Sequence, residues 1–163
     1  MSAETFIRRV WIDAPADEVF RWHAGPEALQ SLIPPWERVE VAGESAVEEG
    51  AEVRLVIRLG PLSVPWIARI EGCVPGRSFR DVQVRGPFAR WEHEHRMEPA
   101  WPGACWLEDR IVYKLPLGPL GRWLGGGLVR SRLERMFEYR HRVTVEALAG
   151  WQDARRLRVS GLL

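Results

Sequence analysis

The segment Arg90-Trp91-Glu92-His93-Glu94-His95-Arg96-Met97 decides the fold. Its alternate residues fall into two sets: Trp91, His93, His95 and Met97 on one side, Arg90, Glu92, Glu94 and Arg96 on the other. Four charges on one face of a strand must meet solvent, because burying them unpaired is costly. The opposite face, with its two histidines, therefore looks into the molecule.

Working outward, Leu107, Asp109, Ile111, Tyr113 and Leu115 alternate with Glu108, Arg110, Val112 and Lys114, which turns Asp109 inward as well. Residues opposite one another on antiparallel strands share a face. A turn centred near Trp101 sets His93 opposite Asp109 and His95 opposite Leu107, and a turn centred on Pro87 sets Asp81 opposite His93 and Gln83 opposite Trp91. These registers predict Asp81, His93 and Asp109 in a line across three adjacent strands. Ser78 to Arg85 does not declare its own inward face, because Val82 and Val84 compete with Phe79 for the interior.

Glu37 to Gly43, Val53 to Leu59, Val64 to Cys73, Ser78 to Arg85, Arg90 to Met97 and Ala104 to Leu115 all read as strands bounded by Gly or Pro. Connections this short allow hairpins and exclude parallel crossovers, so the sheet is an antiparallel meander. Ahead of it, Thr5 to Ile12 is a strand. Asp13 can cap a first short helix with Pro15 in its opening turn, and Glu27 to Ile33 forms a second, stopped by Pro34-Pro35.

At the other end, Leu128 to Leu148 has helical periodicity, with Val129, Leu133, Met136, Phe137, Arg140 and Val143 on one side. The glycine-rich run Gly118 to Gly127 reads as a flexible entrance to this helix, and Gly125 to Gly127 as a mobile gate. It lacks the Lys-Ser/Thr of a phosphate loop and the spacing of a dinucleotide fingerprint. The expected architecture is a single soluble α+β domain over residues 1–149, a curved sheet closed over one long helix around a pocket, followed by a peripheral basic tail, 150–163.

Composition narrows the function classes. A net charge of +1 supplies no field for nucleic acid or an anionic membrane. No apolar run approaches the ~18 residues of a membrane span and the N-terminus lacks a signal-type apolar region, so a cytoplasmic location is expected. Cys73 and Cys105 lie in separate strands without metal-type spacing and read as reduced thiols. Nine tryptophans suit either a core or pocket walls.

Leu32-Ile33-Pro34-Pro35-Trp36, Phe79-Arg80-Asp81-Val82-Gln83, Gly86-Pro87-Phe88, Trp91-Glu92-His93-Glu94-His95-Arg96 and Asp109-Arg110-Ile111-Val112-Tyr113 carry a resemblance over about the first 148 residues. The chain resembles the START-related, Bet v 1-like (SRPBCC) helix-grip superfamily, near bacterial polyketide cyclase/dehydrase-like and cell-division-inhibitor-like members. The resemblance implies a seven-stranded sheet wrapped round the C-terminal helix, with a cavity for lipids, isoprenoids, polyketides or similar molecules. Such domains include carriers and enzymes. Some are fused to a nucleotide-sugar-epimerase-like partner; no dinucleotide fingerprint occurs here, so an epimerase-like or membrane-enzyme partner would be a separate protein.

The expected ligand-binding residues are Trp66, Asp81, Gln83, Trp91, His93, His95, Asp109, Tyr113, Leu133, Phe137 and Arg140. Non-catalytic binding is the leading reading; the alternative is a cyclase or dehydratase in which His93 and Asp109 transfer protons, the carboxylate fixing the imidazole. The pair also reads as a satisfied polar contact that pins register. His93 and His95 share a face about 6.5 to 7 Å apart, which could contribute two ligands to zinc. The candidates for a third, His23, His141, Asp81 and Asp109, show no metal-motif spacing, so no metal or cofactor is assigned. Arg140, on an apolar helix stripe, needs a partner: Asp81, Asp109, an anionic ligand head, or solvent at the pocket mouth.

Overall fold

The computed structural model describes residues 3–43 and 46–151. Strand β1 (Glu4–Ile12) is followed by helices α1 (Ala16–His23) and α2 (Ala28–Ser31). Then come β2 (Val39–Ala42), β3 (Glu52–Leu59), β4 (Leu62–Val74), β5 (Ser78–Arg85), β6 (Arg90–Trp101), β7 (Ala104–Lys114) and helix α3 (Gly118–Leu148). The seven strands form one antiparallel sheet in the order β1-β7-β6-β5-β4-β3-β2, so the meander ends beside the first strand. Register shifts in the β4–β5 pairing at Ile67/Ala68 and between Glu71 and Val74 bend and twist β4, which helps the sheet curve.

Two apolar clusters fill the concave face. One gathers Ile12, Val19, Ile70, Phe79, Met97, Leu107 and Leu148 beneath α1 and the end of α3. The other joins Phe6, Trp91, Ile111 and Tyr113 of the sheet to Leu133 and Phe137 of α3, with the Phe6 and Phe137 rings 5.5 Å apart. Cys73 and Cys105 are free thiols.

Three expectations need correction. The strand expected at Glu37 to Gly43 is confined to Val39–Ala42, and the second helix to Ala28–Ser31. Helix α3 begins at Gly118, ten residues before the expected Leu128, so Gly118 to Gly127 belong to the helix and not to a loop ahead of it. Leu117 turns the chain with φ 63°, and Pro119 sits in the first turn, where its fixed φ is compatible with a helix. Gly121 is required there: a Cβ would lie 1.9 Å from the Pro116 carbonyl oxygen. The glycine that reads as a chain break is thus a close-approach residue inside a helix. Most of the expected tail lies outside the described residues.

Candidate functional site

A cavity of about 490 Å³ lies between the sheet and the α2–α3 side of the molecule. Val53, Leu55 and Ile57 of β3 and Trp66, Ala68 and Ile70 of β4 form one wall, and Leu133 and Met136 of α3 face it. Leu32, Ile33 and Pro34, following α2, close another side. That side is tied to α3: Arg140 Nε donates to the Leu32 carbonyl at 3.1 Å, Tyr139 donates to the Ser31 carbonyl, and Arg132 makes a two-point contact with Glu37.

One patch of the lining is polar. Asp81, His93 and His95 reach it from β5 and β6, together with His23 from the end of α1. Behind them, Asp109 of β7 and His141 of α3 are buried and do not line the cavity. All four histidines of the chain therefore gather here. The group lies where the apolar clusters meet: His95 stacks on Phe79 at 4.2 Å, and His93 meets the edge of Phe137 at 5.2 Å.

The contacts form a crossed bridge. His93 Nε2–H donates to Asp109 Oδ1 at 2.8 Å, while its Nδ1 lies 3.2 Å from Asp81 Oδ1. His95 faces the same oxygens with its nitrogens reversed, Nε2 being 3.2 Å from Asp81 Oδ1 and Nδ1 2.9 Å from Asp109 Oδ1. The latter contact is out of line, and Nδ1 makes no hydrogen bond. His141 Nε2–H donates to Asp109 Oδ2 at 2.6 Å. Trp91 Nε1 and His141 Nδ1 are likewise buried without a hydrogen bond.

Burial opposes charge on His93, but the carboxylates of Asp81 and Asp109 outweigh it and push the imidazole up to about 9. Burial also opposes ionisation of both acids. For Asp81 the charge of His93 prevails, and for Asp109 the hydrogen bonds from His141 and His93, so both are held below the usual carboxylate range. His23 has no such acid in contact; burial, then the neighbouring His95, lowers it to about 4.

Of the expected site residues, Trp66, Asp81, Trp91, His93, His95, Leu133 and Arg140 line the cavity. Gln83, Asp109, Tyr113 and Phe137 do not. Gln83 braces the β5–β6 turn, its side-chain amide donating to the Phe88 carbonyl and accepting from the Phe88 N–H. The Tyr113 hydroxyl donates to Glu4, and Phe137 is packed under Phe6. Arg140 pairs with neither acid, because the carbonyl exposed at the end of α2 takes its guanidinium. Asp81 stands opposite His93 as expected, but Asp109 stands opposite His95, not His93, and Leu107 opposite Met97. The chain turns at Pro102-Gly103, with Trp101 paired to Ala104, and not at Trp101; together with the one-residue irregularity between Pro99 and Trp101 this moves the register by two residues. An even shift keeps the face, so Asp109 reaches His93 diagonally.

His141 and His23 were absent from the expected ligand set. His141 follows Phe137 by four residues, the helical interval that marks it as inward-facing. His23 likewise follows Val19 by four residues and Ala16 by seven, on the buried side of its eight-residue helix.

Solved structures share this architecture. A protein from Chromobacterium violaceum superposes with a TM-score of 0.67 at 16% identity, over 88% of this chain and 96% of that one. Norcoclaurine synthase from Thalictrum flavum, in complex with dopamine and hydroxybenzaldehyde, gives 0.65 at 14% identity, over 88% and 87%. A nucleoside-diphosphate sugar epimerase from Corynebacterium glutamicum gives 0.64 at 25% identity over 86% of this chain but 28% of that longer one. No curated protein sequence matches. These likenesses confirm the helix-grip, Bet v 1-like fold expected from the motifs. Residues 12–137 match the model of the polyketide cyclase / dehydrase and lipid transport family, and the chain belongs to that family.

Proposed function

We propose that the protein binds a small, largely apolar molecule in the cavity, with a polar group of that molecule at the Asp81–His93–His95 patch. The observation that carries this reading is the lining: apolar over most of its area, polar at one place, and about 490 Å³ in volume. That is the usual design of a small-molecule pocket, in which burial supplies affinity and a few fixed polar groups supply orientation. The family description, which includes lipid transport, supports it.

Titration with fatty acids, isoprenoid quinones and aromatic polyketides, followed by tryptophan emission, tests the reading. Saturable quenching at one site is expected, with Trp66 and Trp91 in the lining as reporters. Leu55→Trp should narrow the cavity and weaken binding while the fold persists. Failure of every class to bind, or undiminished binding to Leu55→Trp, would overturn it.

A second reading, proton transfer on the bound molecule, is favoured by the placement of His93 between the cavity and the sealed carboxylate of Asp109. His93→Gln should then stop turnover of a polyketide-type carbonyl substrate without weakening its binding. Equal turnover by the variant would exclude this role.

A further inference from the structure

The geometry points to a divalent transition-metal site at the polar end of the cavity, with Asp81, His93 and His95 as its protein ligands. One donor atom from each lies within 4.8 Å of the others. Asp81 Oδ1 is 3.2 Å from His93 Nδ1 and from His95 Nε2, close to the ~3.3 Å edge of a tetrahedron with bonds of ~2.0–2.1 Å.

Hydrogen accounting makes the case stronger. Asp109 Oδ1 is a pure acceptor facing the remote nitrogens of both rings, at 2.8 and 2.9 Å. His93 Nε2–H donates to it, which in the neutral ring leaves Nδ1 as a lone pair directed at Asp81 Oδ1, itself an acceptor; His95, whose Nε2–H is hydrogen-bonded to Asp81 Oδ1 in the metal-free protein, ligates through Nε2 once its proton moves to Nδ1, which faces Asp109. Three electron-pair donors then converge with nothing between them, an arrangement that requires a cation. Protons can supply it, and so can a metal ion.

The surroundings resemble a metal site in two further respects. Ligating histidines usually donate their other N–H to a carboxylate, which fixes the ring and raises its basicity; Asp109 stands where that carboxylate would stand for both rings, and His141 holds it from behind. All three ligands line the cavity whereas Asp109 and His141 do not, so the remaining coordination positions open toward the cavity. Two imidazoles, one carboxylate and open positions suit zinc or ferrous iron better than calcium or magnesium, which favour oxygen-rich shells. The site shares its location with the proposed binding function and would give the bound molecule's polar group a metal to meet, but it needs no organic ligand to form.

Tag-free protein stripped with a chelator and titrated with Zn²⁺ tests this directly. One equivalent should bind. Asp81→Ala and His95→Gln should each weaken binding at least about 100-fold, and Asp109→Asn about 10- to 100-fold. Glu94→Gln, on the outer face of the same strand, should leave it unchanged. Cu²⁺ bound to the unaltered protein should show nitrogen hyperfine coupling from two imidazoles, a readout that depends on no variant folding. Absence of stoichiometric binding, of imidazole coupling, or of any effect of Asp81→Ala and His95→Gln would overturn the site. An apolar probe titrated into the same samples separates the two claims: probe binding without metal binding overturns only the metal site, and metal binding without probe binding only the pocket reading.

Discussion

The two halves of the sheet follow the same alternation of apolar and polar residues and do different things with it. In β1, β6 and β7, Phe6, Ile12, Met97, Leu107, Ile111 and Tyr113 are almost wholly buried, and α1 and α3 pack over them. In β2 and β3, Val39, Val53, Leu55 and Ile57 point the same way yet remain half-buried, because they face the cavity. One half is a core and the other the wall of a container. Alternation tells which face is inward; it does not tell whether anything fills the space beyond. The histidine group lies at the junction, sealed toward Asp109 and open toward Asp81.

The sealed side should be the most fragile point. Asp109→Ala leaves His93, His95 and His141 without their shared acceptor, and a loss of about 3–5 kcal/mol is expected in denaturant unfolding. Asp81→Asn, on the cavity side, should cost less than half as much. Comparable losses would show that the group has no sealed and open sides.

Acid should probe the same junction. His23 has its ordinary value of 6.5 lowered to about 4 by burial and by His95, with Asp109 and His141 also acting on it. Between these values the unfolded chain takes up a proton that the folded chain refuses. This contribution is fully present above pH 6.5 and is lost as the pH falls toward 4, by about 3 kcal/mol. Unfolding free energies of wild type and His23→Gln across this range should converge in acid; parallel curves would place His23 outside the buried junction.

The smallest effect is the most direct comparison of the two halves. Ile111→Ala, in the core, should cost about 2–5 kcal/mol, and Leu55→Ala, on the cavity wall, about 1 or less. The wall residue already borders empty space, so its removal opens little new cavity. Equal losses would mean that the cavity is closed in solution.

Much of this is legible in the sequence. The charged face of Arg90 to Arg96 orients the sheet, and the Pro87 turn correctly pairs Asp81 with His93. The partner of Asp109 differs from the expected one because neither the turn's place at Pro102-Gly103 nor the one-residue irregularity between Pro99 and Trp101 leaves a periodic signature; since the two together shift the register by an even number, the face stays right. The start of α3 was hidden by glycines, whose sequence meaning as breakers is opposite to the close packing Gly121 serves. His141 was overlooked because an inward stripe chosen for apolarity passes over an inward polar residue. A cavity is a property of what the chain does not occupy, and no residue encodes it alone.

The adjacency of β1 and β7 has a consequence for synthesis. Their pairing, from Glu4 with Tyr113 to Ile12 with Cys105, joins β1 to a strand made roughly a hundred residues later. At about 5–20 residues per second, the first strand waits on the order of 5–20 s on the ribosome for its neighbour. During that interval Phe6, Val10 and Ile12 have no neighbouring strand to join, so β1 is made well before it can fold.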